Sequence, residues 1–345
     1  DDLADRYLDA LERELQGLRE PAPVATLFVG GGTPTHLSVS QLDRLCKLLD
    51  TWFPRPSDGE YSFEANPNDI DNVKVAVMAD HGVTRVSLGA QSFHEPKLRS
   101  LDRDHAAGEI LQAVNLLRPS IERISLDLIF GAPDESLEIW QGDLRQAIAC
   151  APDHISTYGL TFERGTAFWS QLTKSQLQEV DEETQRAMYV HGIETLAAAG
   201  YEHYEVSNFA RPEARCRHNE AYWHGHTYYA VGAGASRYVD GRRETNHRSS
   251  TTYMRRVLAG ESPTAESETL DLETRARERV VFGLRRIEGI DVAAISRDVG
   301  LDVAAIVSDQ LDRFVSWGFL DRTGTRYRLT TSGLLVSDSL WPYLL

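Results

Sequence analysis

Apolar and polar positions repeat along this chain with two periods, one typical of helices and one typical of buried strands. At the start, apolar side chains recur at helical spacing over residues 2–19, and the predicted apolar face consists of Leu3, Tyr7, Leu8, Leu11, Leu15 and Leu18. Short apolar runs then predict strands at residues 25–29, 61–64, 85–89, 124–130 and 155–160. Helical patterns separate these runs at residues 40–52, 71–81, 108–117 and 137–150.

This alternation of strands and helices predicts an α/β fold. Strands that alternate with helices form a parallel sheet with right-handed crossovers. One further strand before residue 1 would complete six strand–helix units, so we expect a partial TIM-like (βα)6 barrel. In such barrels the functional groups lie at the carboxyl ends of the strands and in the loops that follow.

The second half of the chain has a different pattern. A helix is predicted at residues 182–200, followed by an extended segment at 201–209 and a region rich in glycine and aromatic residues up to 238. Three helical patterns, at 273–284, 292–298 and 303–317, precede a hairpin at 319–330 with its turn at Gly324, which is typical of a winged-helix-like domain. We therefore predict domains at residues 1–165, 166–252 and 253–345, the last being mainly helical.

Composition and charge exclude several classes of protein. The 345 residues, 41% of them hydrophobic, can form an ordinary globular core. No apolar run approaches the roughly 20 residues that span a bilayer, and no secretory signal opens the chain, so we expect neither an integral membrane protein nor a secreted one. A net charge of −16 opposes binding to nucleic acid.

The three cysteines, Cys46, Cys150 and Cys216, are far apart in sequence. Their spacing matches neither a disulfide framework nor a zinc site, and it indicates a reducing cytoplasm. Cys46 and Cys150 lie in helical apolar patterns, so we predict that both are core thiols.

Three consecutive glycines directly follow the first predicted strand, in the segment GGGTPT at residues 30–35. Because glycine has no Cβ, a ligand can approach the bare backbone N–H groups there. We therefore predict that this segment forms the floor of a ligand-binding site. The alternative is a tight turn in which Thr33 or Thr35 caps the next helix.

Two carboxylates, Glu64 and Asp127, lie at or near the ends of predicted buried strands. A charge there costs several kcal/mol unless it has a partner, which indicates a ligand contact. The alternative is a salt bridge inside the barrel with Arg85 or Arg123. Two further polar residues have ordinary alternatives: Gln91 as a helix cap and Arg103 as a surface arginine.

Together these segments resemble the radical SAM proteins of the coproporphyrinogen dehydrogenase (HemN-like) group. The resemblance rests on GGGTPT, Glu64-Ala-Asn-Pro, the segments 87–93 and 126–133, and Arg103, in that order and at the family's spacing. It implies a partial barrel that holds S-adenosylmethionine (SAM) against a [4Fe-4S] cluster. By position, it implies SAM contacts at Gly31, Gly32, Thr33 and Glu64, a SAM or substrate side formed by Gln91, Arg103 and Asp127, and a mouth lined by Thr161.

The resemblance also implies a cysteine motif, Cys-x3-Cys-x2-Cys, whose three thiolates hold three irons and leave the fourth open for SAM. The present sequence does not contain this motif, and its three separated cysteines cannot replace it. In the family the motif follows the first strand, shortly before the helix at residues 2–19. We therefore expect it in the native protein; the alternative is a relative without a cluster.

A second motif, HNxxYW at residues 218–223, resembles the segment that marks the HemW-type heme chaperones within this group, and residues 232–235 resemble the segment that follows it. The resemblance implies a heme site formed by His218, Asn219, Tyr222 and Trp223, with His218 as the candidate iron ligand. A histidine nitrogen can bind heme iron, and aromatic rings offer flat apolar surfaces to a porphyrin. The alternative is a structural histidine packed beside these rings.

Four other histidines, His203, His224, His226 and His247, are expected to be loop residues, and Cys216 is a second candidate contact to iron.

The implied function is that of a heme chaperone, which binds heme and passes it to acceptor proteins, membrane-associated respiratory components among them. The alternative from another class is an oxygen-independent coproporphyrinogen III oxidase. The sequence leaves open whether the protein is an enzyme.

Overall fold

The computed structural model describes residues 2–161 and 177–345. The predicted domain boundary between residues 165 and 166 lies outside the described residues. By its contacts the chain forms two compact units. We call Thr26–Asp43 with Gly59–Arg215 the barrel unit, and Asp1–Ala25 with Arg44–Asp58 and Cys216–Leu345 the second unit. In the part of the chain that is described, no helix is long and apolar enough to cross a membrane.

The barrel unit contains a sheet with the strand order β1-β2-β3-β4-β5-β7-β6 among the described residues. Its strands are β1 (Thr26–Val29), β2 (Glu60–Ala65), β3 (Arg85–Gln91), β4 (Arg123–Phe130), β5 (His154–Gly159), β6 (Glu202–Glu205) and β7 (Asn208–Ala210). The first five are parallel neighbours in chain order, and β7 pairs antiparallel with both β5 and β6. The predicted α/β partial barrel is therefore confirmed, and the extended segment 201–209 is a hairpin at its edge.

Helices connect the parallel strands of the barrel unit. They are α2 (Val39–Trp52), which extends into the second unit, α3 (Asn72–Asp80), α4 (Glu95–Ser100), α5 (Ala107–Leu117), α6 (Leu137–Ala149) and, before β6, α7 (Glu182–Ala198). Side chains of Asp71, Ser136 and Asp181 accept backbone N–H groups and so begin α3, α6 and α7. The sequence did not predict α4, because its six residues are too few to show a period.

The second unit has the following elements: α1 (Asp2–Gln16), α8 (Arg217–Trp223), β8 (Ser236–Val239), β9 (Arg242–Asn246), α9 (Ser250–Leu258), β10 (Thr264–Thr269), α10 (Leu272–Leu284), β11 (Ile290–Asp291), α11 (Val292–Val299), α12 (Val303–Ser316), β12 (Leu320–Thr323), β13 (Arg326–Leu329), α13 (Thr331–Leu335) and α14 (Ser337–Leu340). The winged-helix-like prediction is confirmed by α10, α11 and α12 and by the hairpin β12–β13, to which β11 adds a strand. The antiparallel sheet β10-β9-β8 was not predicted, because β9 and β10 consist mainly of arginine, glutamate, serine and threonine rather than apolar residues.

Helix α1 packs on α9 through Tyr7 and Ala10. Leu8, Leu11 and Leu15 of its predicted apolar face are buried. The prediction was wrong for Leu3, which is 66% exposed near the helix start. On the same helix, the Glu14 carboxylate accepts hydrogen bonds from the Tyr253 hydroxyl at 2.5 Å and from the Gly232 N–H at 2.8 Å. These bonds fasten the glycine-rich segment to α1.

The cysteine predictions hold in part. Cys46 is fully buried in α2. Cys150 is only half-buried at the C-terminal cap of α6, and burial raises the pKa of its thiol.

Candidate functional site

A pocket of about 450 Å³ lies in the barrel unit at the carboxyl ends of the parallel strands. This is the end of a strand–helix barrel at which function is expected. It brings together seven of the residues singled out from the sequence: Gly32, Thr33, Glu64, Gln91, Arg103, Asp127 and Thr161. Gly31 joins them through its backbone, since its N–H donates to the Glu64 Oε2 at 2.9 Å.

The glycine segment needs its glycines for two separate reasons. A Cβ on Gly30 would lie 2.5 Å from the Phe28 Cε1 and 2.7 Å from the Glu64 Oε2, so a side chain there would displace both neighbours. Gly31 has a φ of +85°, in the region that favours glycine. The backbone thus passes closely over Glu64 and exposes its own N–H groups.

The two threonines of this segment do not serve as helix caps. Thr33 precedes a short 3-10 helix, Pro34–His36, but its side chain makes no capping hydrogen bond. The Thr35 hydroxyl instead lies 3.4 Å from an Asp69 oxygen and is buried. Thr33 is therefore the threonine that faces the pocket.

Asp127 accepts a hydrogen bond at 2.9 Å from the Ser87 hydroxyl on the neighbouring strand. Burial raises its pKa to about 6; hydrogen bonds from Ser156 and Ser87 oppose this rise, and the charge of Glu64 adds to it. The carboxylates of Glu64 and Asp127 therefore interact electrostatically in the pocket.

The two arginines considered as salt-bridge partners pair with other carboxylates. Arg85 Nε donates to Glu60 at 3.2 Å, and Arg123 pairs with Glu122, also at 3.2 Å. The contacts of Arg85 and Arg123 thus give no support to the salt-bridge alternative for Glu64 and Asp127.

Gln91 is the last residue of β3, where the register with β4 shifts by a bulge. Its φ of 59° is unusual for a residue with a side chain. The side chain turns back over Gly89, on which a Cβ would lie 3.0 Å from the Gln91 amide nitrogen. Ser87, Gly89 and Gln91 are alternate positions of one strand, so all three face the pocket. Gln91 does not cap α4, whose N-cap is His94.

Arg103 lies between α4 and α5, and it lines the pocket. Its Nε is buried and has no hydrogen-bond partner among the described residues. An unsatisfied buried donor costs about 1 to 3 kcal/mol, more for a charged group, so this nitrogen calls for an acceptor from outside the chain. An anionic group of a ligand would supply it.

A buried charge cluster that sequence reasoning missed supports the loop between Gln91 and Arg103. The Lys97 ammonium donates to Glu135 at 2.5 Å and to Asp143 at 2.9 Å. Asp143 also accepts the Phe93 N–H at 2.6 Å, two residues beyond Gln91. On the other side, His105 lies 3.0 Å from the carbonyl of Ala90, the residue before Gln91. The strained backbone of Gln91 is thus held on both sides.

Other lining residues were also missed as site residues, among them Asn66, Ile129 and Tyr158. Side chains on one face of a strand recur every second residue, so the position of Asp127 on β4 could have predicted Ile129, two positions later. The same alternation places Asn66 two positions after Glu64. Tyr158 lies on β5, on which no site residue was predicted, so alternation did not point to it.

The HNxxYW residues lie on α8, in the second unit, and none of them lines the pocket. The His218 Nε2 lies 3.1 Å from the Tyr222 hydroxyl, one turn further along the helix. The Tyr222 ring meets the ring of Tyr228 edge to face, with centroids 4.7 Å apart, and burial raises the pKa of Tyr222 to about 12. Asn219 and Trp223, also one turn apart, are half-buried. The His218 imidazole on α8 therefore lies beside the Tyr222 ring, which in turn contacts Tyr228.

The remaining histidines and cysteines differ in their settings. His203 is half-buried and stacks on Phe209, and burial lowers its pKa to about 4, so it is not an ordinary loop histidine. Cys216 is buried at the N-cap of α8, directly before the HNxxYW segment. Residues 2–161 and 177–345 contain no group of three or more histidine, cysteine or acidic side chains placed to hold a metal ion. The described side chains therefore do not fit an iron–sulfur cluster.

Comparisons with known proteins agree with this architecture. The Radical SAM superfamily matches residues 2–147, and the HemN C-terminal domain matches residues 270–336. The chain is similar to proteins named heme chaperone HemW: that of Escherichia coli at 33% identity, over 99% of this chain and 89% of the relative, and that of Synechocystis at 35%, over 84% and 71%. A third, from Lactococcus lactis, is 29% identical over 98% of this chain and 88% of its own length.

Among solved structures, the coproporphyrinogen III oxidase HemN of Escherichia coli superimposes with a TM-score of 0.86, over 99% of this chain and 83% of that one. The two sequences are 23% identical over this match, so the likeness establishes the shared fold.

Proposed function

Because the chain belongs to the HemW family of radical SAM proteins, we propose that it binds heme and passes it to acceptor proteins, membrane-associated respiratory components among them. One observation carries this proposal: α8 presents His218 beside Tyr222 in a chain whose similar relatives are named heme chaperones. The cysteine usage supports a cytoplasmic location.

The residues of α8 fit a heme site on two grounds. Imidazole is a usual axial ligand of heme iron, and a ligating histidine almost always donates its other ring N–H to a nearby acceptor. The Tyr222 hydroxyl at 3.1 Å from His218 Nε2 is such an acceptor. Tyr222 and Tyr228 add ring surface against which a porphyrin packs.

The pocket of the barrel unit is proposed to hold SAM. Its donor set suits a ligand that carries an amino group, a carboxylate and a ribose. Arg103 offers a buried guanidinium nitrogen to the carboxylate, and Glu64 and Asp127 offer acceptors to the amino group and the ribose hydroxyls. The open backbone of Gly31 and Gly32 allows close approach.

The [4Fe-4S] cluster of the family would supply the open iron that anchors SAM and the electron that cleaves it. The three cysteines of the present sequence do not provide its ligands.

Titration of the purified protein with hemin, followed by Soret absorbance, tests the heme proposal. We expect stoichiometric binding and a loss of at least tenfold in affinity in His218→Ala. His191→Ala is the matched control, because His191 on α7 also lies 3.1 Å from a hydroxyl one turn away, that of Thr195. Equal affinity of His218→Ala and the wild type would remove His218 from the site.

Transfer needs its own measurement. Heme-loaded protein mixed with an apo-cytochrome should lose its Soret band while the cytochrome gains one. Anaerobic formation of protoporphyrinogen from coproporphyrinogen III would instead support the alternative function, that of an oxygen-independent coproporphyrinogen III oxidase.

A further inference from the structure

Trp223, the last residue of α8, is covered by an arginine from beyond the end of α10. The Arg285 guanidinium carbon lies 4.5 Å from the centre of the Trp223 ring. This distance is within the range of a cation–π contact, which is stronger for tryptophan than for the other aromatic residues. The heme motif therefore ends beside a fixed positive charge.

A second arginine, packed against two histidines, continues this charge around the loop after α8. Arg286 Nη1 lies 3.3 Å from both ring nitrogens of His224. The rings of His224 and His226 stack, with centroids 5.6 Å apart. Burial lowers the pKa of His224, and the charge of Arg286 lowers it further.

A third arginine, Arg279, lies across Gly225 in the same loop. Gly225 has a φ of +64°, and a Cβ there would collide with the Arg279 side chain. Arg279, Arg285 and Arg286 thus reach the segment 223–226, the end of α8 and the loop after it, from α10 and the turn that follows α10. We call Arg279, Arg285, Arg286, His224 and His226 the arginine cluster.

Two acidic residues that pair with this cluster are exposed to solvent. Arg279 pairs with Asp298 at 3.2 Å, and Arg286 pairs with Glu288 at 3.3 Å. The two carboxylates are 59% and 49% exposed. Such surface pairs contribute about 0 to 1 kcal/mol, so an incoming carboxylate can replace them. In a protein of net charge −16, three arginines around one loop are a local site for anions.

We propose that the arginine cluster binds the carboxylate side chains of the tetrapyrrole that α8 holds; this inference rests on the proposed heme binding. His218 and Trp223 are five residues apart on one helix, about 7.5 Å along its axis and about 140° around it. A porphyrin is wider than this axial distance. With its iron at His218 and one edge directed toward the C-terminal end of α8, its propionates would reach Arg285 and Arg286 beside Trp223. Guanidinium groups suit carboxylates, because they donate parallel hydrogen bonds.

Hemin and hemin dimethyl ester, titrated in the same detergent, test this inference, because the ester keeps the iron and the ring but lacks both charges. We expect the wild type to bind hemin at least tenfold more tightly than the ester. The double variant Arg285→Gln/Arg286→Gln should bind hemin as weakly as the wild type binds the ester. Arg313→Gln, an exposed arginine on α12, is the control and should keep the preference.

The outcomes separate this inference from the function on which it rests. Equal wild-type affinity for the two porphyrins would overturn the carboxylate site and leave heme binding standing. An unchanged preference in the double variant, with an unchanged circular dichroism spectrum, would also overturn it. His218→Ala should weaken both porphyrins equally, and failure of the wild type to bind either one would overturn the proposed function itself.

Discussion

The His218 Nε2 lies 3.1 Å from the Tyr222 hydroxyl oxygen, and both residues are on α8, one turn apart. This bond bears on how the histidine can bind iron. Coordination through Nδ1 keeps the bond, because Nε2–H then donates to Tyr222, whereas coordination through Nε2 breaks it.

We expect Tyr222→Phe to weaken heme binding by about tenfold, the lower end of the usual loss when the outer partner of a ligating histidine is removed. The Soret titration measures this change, with Tyr229→Phe, an exposed tyrosine of the same unit, as the control. Tighter binding in Tyr222→Phe would show that the bond competes with iron and that Nε2 is the ligand.

Arg103→Gln should lower the affinity for SAM by about tenfold or more, because a hydrogen bond to a charged group contributes roughly 1.5 to 3 kcal/mol. Isothermal titration calorimetry with SAM measures this affinity. Arg99→Gln, an exposed arginine at the end of α4, is the matched control. Equal losses in both variants would mean that only the general charge of this loop matters.

Gly30→Ala should weaken SAM binding while leaving the melting temperature nearly unchanged. The added Cβ meets the Phe28 ring and the Glu64 carboxylate, which can move, so the substitution displaces Glu64 from the pocket rather than unfolding the strand. Gly108→Ala, at a position with open space, should change neither quantity. A large drop in melting temperature in Gly30→Ala would contradict this explanation.

Asp127→Asn should stabilise the protein at pH 7.5 but not near pH 4. The folded-state pKa of Asp127 is raised from 3.8 to about 6, so the folded state binds the proton more tightly than the unfolded state. Its contribution to stability is therefore present below pH 4 and is lost as the pH rises to 6, a difference of up to about 3 kcal/mol.

Urea denaturation at pH 4.5 and pH 7.5 measures this difference, and Asp104→Asn, an exposed carboxylate, is the control. A stability gain for Asp127→Asn that is the same at both pH values would contradict the raised pKa of Asp127.

Lys97→Met should destabilise the protein by about 3 to 5 kcal/mol, because it leaves Glu135 and Asp143 buried without their cation. Denaturant unfolding measures it, and Lys47→Met, an exposed lysine on α2, is the control. A loss below about 1 kcal/mol would show that the two carboxylates are protonated or solvated in the variant.

The alternation of apolar runs with helical patterns was enough to predict the parallel strands β1 to β5 and the helices around them, because both periods are local properties of the chain. The same holds for the winged-helix-like end. The antiparallel strands β8 to β10 escaped prediction, since their polar residues, such as Arg243 paired with Glu268, satisfy each other only across strands.

The sequence by itself determined the fold class, the glycine segment and the family, because spacing and residue type carry them. Only the tertiary structure decided that Gly31 donates to Glu64, 33 residues later, and that Lys97 reaches Glu135 and Asp143. It alone brought Arg285 over Trp223. These contacts join residues far apart in the chain, and their partners are selected by the packing of whole strands and helices, which no local pattern records.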